Sequence, residues 1–187
     1  LVIEATMDIN AYPWQADWYR SKVKEALGRK FEDNFVLWFV DNAQHDVPGH
    51  FGTQGVGKRA WARTISAVGV LQQGLRDLSA WVEQGVRPPD TRYKMVDTQV
   101  QLPATARERR GIQPVVMLQA NGGVRAEVAA NKPVKFAGAI EVPPNAGKVV
   151  AVEWDFEGIG EAQAKETLAT PGSTARVSSE HAYSKPG

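Results

Sequence analysis

Cysteine is absent from the 187 residues. That excludes a disulfide scaffold, a thiolate metal site and a cysteine nucleophile. Charge of one sign is also lacking. Lys and Arg nearly balance Asp and Glu, leaving a formal net charge of +1, so bulk electrostatics give no case for nucleic acid or an anionic membrane surface. No apolar run reaches the ~18 residues that a membrane-spanning helix needs. The chain carries no initiating Met and no basic segment followed by an apolar stretch. It opens on Leu1-Val2-Ile3, which reads as the inside of a strand. The expectation is an internal piece of a longer protein.

What is present is organised around Phe35–His45. Phe35 to Val40 is an unbroken apolar run rich in aromatic and branched residues, followed by Asp41-Asn42-Ala43-Gln44 and then His45. Such a run predicts a strand buried on both faces, the habit of a parallel sheet covered by helices. In open sheets of that kind chemistry sits just past the carboxyl ends of the strands. Upstream, Leu1–Glu4 predicts a strand and Ala5–Asp8 a loop. Pro13 opens a helix whose apolar residues are Trp14, Trp18, Val23, Ala26 and Leu27, with Gly28 as its stop. Lys30–Asn34 reads as a polar link.

The Gly-rich stretch Pro48–Lys58 lacks the spacing of a phosphate loop and is expected to be a surface loop. A long helix, about Trp61 to Glu83, carries an apolar stripe at Ile65, Val68, Leu71, Leu75, Leu78, Trp81 and Val82. The stripe is expected to pack on sheet lying outside the sequence. Gly85 and Pro88-Pro89 end that helix. Thr91–Leu102 reads as a hairpin or cover strand. Ala104–Gly111, with Arg107, Arg109 and Arg110, reads as a solvated linker. From Gln113 the period changes. Pro114–Leu118, Pro133–Val142, Lys148–Phe156 and Thr174–Ser178 are short strand-like runs separated by turn signals, a pattern that argues for a β-sandwich. The chain is expected to close on a turn at His181–Gly187.

Asp8 follows the first strand and His45 the next. If the strands are parallel neighbours about 4.8 Å apart, the two side chains reach hydrogen-bonding distance. A carboxylate beside imidazole fixes its tautomer and stabilises the imidazolium, which is what a general base serving a serine hydroxyl requires. Glu4 is a rival acid within the strand. His50 is a rival base in the Gly-rich loop, and Asp41 and Asp46 read as loop charges. Taken together, His45, His50, Asp41 and Asp46 match no metal-binding helix motif, so neither a metal nor any other cofactor is expected.

Val2–Asp8, the Trp14–Leu27 helix and Phe35–His45 resemble the C-terminal end of an α/β-hydrolase. There the order is nucleophile, acid, histidine, on loops after successive strands. Leu78–Pro89, with its Trp-Val…Gly…Pro-Pro pattern, is similar to the closing helix of esterase-type members of the tannase and feruloyl esterase kind. The resemblance spans residues 1–102 or so. It implies a carboxylic-ester hydrolase in which Asp8 is the triad acid and His45 the base, acting on a small-molecule or polymer-linked ester. The Gly-x-Ser-x-Gly elbow is absent from the sequence, so the nucleophile would lie upstream and the chain alone would be inactive. A serine peptidase shares the same acid and base. Val152–Gly158 with Gly160, and later His181-Ala182-Tyr183 with Pro186-Gly187, resemble two signatures of PKD-type (polycystic kidney disease repeat) domains, with Glu157 where Gly is usual. That resemblance implies an immunoglobulin-like sandwich, cut short at Gly187. It also implies a secreted, cell-surface or periplasmic protein, with carbohydrate or protein as the candidate contact of the sandwich. The expected organisation is therefore an α/β-hydrolase portion at 1–103, a linker at 104–112 and an all-β PKD-like domain at 113–187. The competing class is a non-catalytic extracellular binding or adhesion protein with a degenerate hydrolase domain.

Overall fold

A computed structural model describes residues 1–45, 64–159 and 161–185. The described chain is mixed helix and sheet, built mostly from small antiparallel sheets, none of them closed. No described helix is long and apolar enough to cross a membrane.

Strands β1 (Val2–Ala5) and β2 (Leu37–Val40) pair in parallel, with Val2 opposite Leu37 and Ala5 opposite Val40. Helix α1 (Pro13–Leu27) makes the crossover between them. Pro13 stands in its first turn, where a missing N–H is harmless, and Gly28 ends it at φ 53°. The segment 30–34, expected as a polar link, is instead a helical turn, α2 (Phe31–Asn34), because Phe31 turns inward and is buried against Phe35.

Every residue from Phe35 to Val40 is buried, and alternation sends them to two different cores. Leu37 and Phe39 join Ala16, Phe31 and Phe35 on the α1 side; Val40 joins Ala5, Ala43 and Ala67 on the other. Each buried Leu, Val or Phe among them contributes about 1.5–3 kcal/mol, and each Ala less. The outer edge of β2 is covered by residues 89–91 rather than by a strand. Asp90 Oδ1 accepts from Leu37 N at 2.9 Å, Thr91 N donates to Leu37 O at 3.0 Å, and Phe39 N donates to Thr91 Oγ1 at 3.1 Å. Trp38 Nε1 donates to Pro89 O at 2.7 Å.

Helix α3 (Val68–Gln84) starts later than its apolar stripe suggests, since Ile65 forms a parallel bridge with Ala43 instead of entering the helix. The expected stretch Trp61–Arg63 and the loop Pro48–Lys58 lie outside the described residues. Gly85 caps α3 in the left-handed region. The stripe is largely uncovered: Leu75 is 71% and Val82 78% exposed. Toward the sheet α3 presents Val70, packed on the Ala5–Val40 core, and Gly74, where a Cβ would stand 2.7 Å from Ile3 Cδ1. Strands β3 (Lys94–Val96) and β4 (Gln99–Gln101) form the hairpin expected in Thr91–Leu102.

Helical turn α4 (Ala106–Arg109) comes next, capped by Thr105, whose Oγ1 accepts from Glu108 N. Beyond it, β5 (Val115–Ala120), β6 (Pro133–Glu141) and β9 (Thr174–Ala182) make one antiparallel sheet, and β7 (Val149–Trp154) pairs with β8 (Ala164–Gly172) in another. Ile140, Val142, Val149 and Val177 form their shared core, with Val152, Trp154 and Leu168 packed on it. Strand β8 carries no apolar alternation and contains Pro171, so the sequence pattern passes over it. Pairing with β7 makes it a strand. The expected closing turn is displaced as well, because His181 and Ala182 are still in β9, opposite Val134 and Pro133. Tyr183 and His181 instead hold the turn after β7, through Tyr183 Oη to Phe156 O at 3.0 Å and His181 Nε2 to Glu157 Oε1 at 3.1 Å.

Candidate active site

The parallel register sends both strand-end loops to the same edge, and backbone bonds tie them together. Thr6 N donates to Val40 O and Met7 N to Ala43 O, each at 3.0 Å. Three residues past β1, Asp8 is 5% exposed. Its Oδ1 accepts from Asn10 N at 2.8 Å and from Ala11 N at 3.0 Å, and its Oδ2 stands 2.5 Å from His45 Nδ1. Both carboxylate oxygens are therefore engaged, and the one aimed at the ring is fixed by the turn that holds the other. The His45 side chain is 48% exposed, so the ring is open to solvent while its partner is not.

Burial works against ionisation of Asp8. The N–H groups of Ala11 and Asn10 and the neighbouring His45 outweigh it, holding the carboxyl below its usual value of 3.8. Asp8 is thus an anion at neutral pH. Where Nδ1–H donates to that carboxylate, the lone pair of a neutral imidazole lies on Nε2. Glu4 is in the opposite situation. Burial, and then the charge on Asp8, push its carboxyl up to about 7, against the pull of Ala5 N–H and His45. Of these two neighbouring carboxyls, the one held ionised is the one that meets the imidazole.

Asp41 is turned elsewhere. Its Oδ2 pairs with Arg109 Nη1 at 2.9 Å, and Thr6 Oγ1 lies 3.4 Å from its Oδ1. The remaining rivals, Asp46 and His50, lie outside the described residues. Among the described residues no group of three or more His, Asp or Glu is placed to hold a metal ion.

Arg109 and Gln113 were not legible as parts of this neighbourhood. Of the three arginines in the expected linker, Arg107 and Arg110 are exposed, as a solvated reading implies, but Arg109 is 8% exposed. No protein-family model, curated protein or solved structure matches the chain.

Proposed function

We propose that Asp8 and His45 are the orienting acid and general base of a serine hydrolase, most simply a carboxylic-ester hydrolase, whose nucleophile lies outside these 187 residues. In that reading residues 1–103 are the C-terminal portion of an α/β-hydrolase domain and 113–187 an incomplete PKD-like sandwich on an exported protein. The observation that carries the proposal is the 2.5 Å contact between a buried carboxylate and an exposed imidazole on loops that follow adjacent parallel strands. His45 Nε2 would take the proton of the attacking hydroxyl, and Asp8 would stabilise the imidazolium so formed. The proton would then pass to the departing alkoxide, and a second cycle with water would release the acid.

The test is labelling by a fluorophosphonate probe of the full polypeptide that carries these residues, beside its His45→Ala variant. Labelling that falls at least ~100-fold in the variant is expected. A folded wild type that takes no label, or a variant that labels equally well, rejects the reading and leaves a non-catalytic binding protein in its place. Ester and amide substrates offered to the labelled protein separate an esterase from a peptidase.

A further inference from the structure

We propose that Arg109 and Gln113 are positioning residues for the Asp8–His45 pair, acting through Asp41 on the turn that carries His45. The inference rests on the dyad reading above and names how that same site is held.

Asp41 is the first residue past β2 and lies four residues before His45. Each of its polar groups is engaged. Gln113 takes both backbone groups, Oε1 accepting from Asp41 N at 2.7 Å and Nε2 donating to Asp41 O at 3.0 Å. Arg109 takes Oδ2, while its Nε donates to Pro103 O at 3.0 Å. Thr6 lies against Oδ1, and its hydroxyl oxygen also accepts from Asn42 N at 3.0 Å. Thr6 is two residues before Asp8. One small network therefore touches both loops of the dyad.

The turn itself is tied into this network: Asn42 stands at φ 55°, in the left-handed region that asparagine adopts more readily than most residues, and its N–H donates to Thr6 Oγ1. A base is useful only if its ring is fixed to within a fraction of an ångström. Asp8 fixes one nitrogen of His45; the path of the backbone delivering the ring is set at Asp41.

The clamp is itself anchored to the C-terminal sheets. Arg109 ends α4, and the first N–H of that turn, Ala106 N, donates to Glu141 Oε2 at 3.1 Å. Glu141 is the last residue of β6. Arg110 pairs with Thr91 in an antiparallel bridge, and Arg92 N donates to Arg109 O at 2.7 Å. The stretch 104–113 is thus a strut between those sheets and the His45 turn.

The experiment reads the ring nitrogens of His45 by proton–nitrogen correlation on the 187-residue chain, with His181 in the same spectrum as an internal check of the β-sheets. In wild type, pairing to Asp8 holds the neutral ring as the Nδ1–H tautomer. Asp8→Asn, whose amide nitrogen would face the ring as a donor, defines the signal of a ring that has lost its Nδ1–H acceptor. Gln113→Ala is expected to move the His45 signal toward that of Asp8→Asn with His181 unchanged. Arg109→Met is expected to do the same, and Arg109→Lys, which keeps a cation for Asp41, to recover part of the wild-type signal. A wild-type His45 signal in folded Gln113→Ala overturns the proposal and leaves the dyad reading intact. Wild-type and Asp8→Asn spectra that coincide at His45 overturn both. If Arg109→Met does not fold, Gln113→Ala and Arg109→Lys decide alone, since the first keeps the Arg109–Asp41 pair and the second keeps a cation beside Asp41.

Discussion

Ala5 and Val40 are partners in adjacent parallel strands, and that one register point places Asp8 and His45 at the same end of the sheet. A slip of one residue would turn every side chain of β2 to the opposite face. Phe39 would leave the α1 core, and the loop bearing His45 would shift by about 3.3 Å. The hydrophobic cores on the two faces of β2 therefore also set the geometry of the candidate site.

Asp8 should contribute stability only where it is ionised. Its folded-state carboxyl titrates below 3.8, so the contribution is complete above that value and fades as pH falls through the lower folded value. Asp8→Asn is expected to cost about 1–3 kcal/mol at pH 7. The deficit should shrink on acidification below 3.8. Urea midpoints at pH 7 and pH 3 check this; an equal deficit at both would contradict it.

Glu4 has the opposite sign. A folded-state carboxyl raised from 4.5 to about 7 favours the folded state at low pH, and that advantage is lost as pH rises through about 7. Glu4→Gln should therefore be close to neutral below pH 4.5 relative to its effect at pH 8. At pH 8 it is expected to stabilise by about 1–3 kcal/mol. Thermal melts of both proteins across that range measure the crossover.

Arg109, alone among the three arginines of its segment, should matter for stability. Arg109→Ala leaves Asp41 without its cation and Pro103 O without its donor, a loss of about 1–3 kcal/mol. Arg107→Ala and Arg110→Ala, on exposed side chains, should each stay within about 0.5 kcal/mol. Denaturant titration ranks the three.

Gly74 and Gly69 lie in the same helix and should respond oppositely. A side chain at Gly74 runs into Ile3, Leu1 and Trp38, whereas nothing lies within 4 Å of a Cβ at Gly69. Gly74→Leu is expected to cost about 1–3 kcal/mol by overpacking, and Gly69→Ala to gain a few tenths, up to roughly 0.5 kcal/mol. Calorimetry distinguishes them readily.

The exposed stripe of α3 should tolerate charge. Leu75→Glu combined with Val82→Lys is expected to change stability by no more than about 0.5 kcal/mol, while weakening binding of a hydrophobic dye. A large loss of stability would mean that the stripe is covered in solution.

The elements legible in the sequence were those whose cause is local. The unbroken run Phe35–Val40, the Pro13 start and Gly28 stop of α1, and the turn signals around β5, β6 and β7 each act through neighbours in the chain. The order strand, Asp, helix, strand, His carried the candidate site in the same way. What escaped was set by distant partners. Strand β8 has no pattern of its own and exists because β7 pairs with it. Phe31, in a segment that reads as polar, is drawn inward by Phe35 and Ala16. Arg109 and Gln113 lie 68 and 72 residues from Asp41, a separation at which no spacing rule links an arginine in a charged stretch to a turn beside a histidine.

That separation has a meaning in time. A chain made from its amino end has both dyad loops in hand once His45 has been added, yet the glutamine that holds Asp41 is residue 113. At synthesis rates of about 5–20 residues per second, the 68 residues that follow His45 up to Gln113 take roughly 3–14 s. In the proposed reading, the nascent protein thus passes through a stage in which Asp8 and His45 have both been made but the residues that hold Asp41 have not.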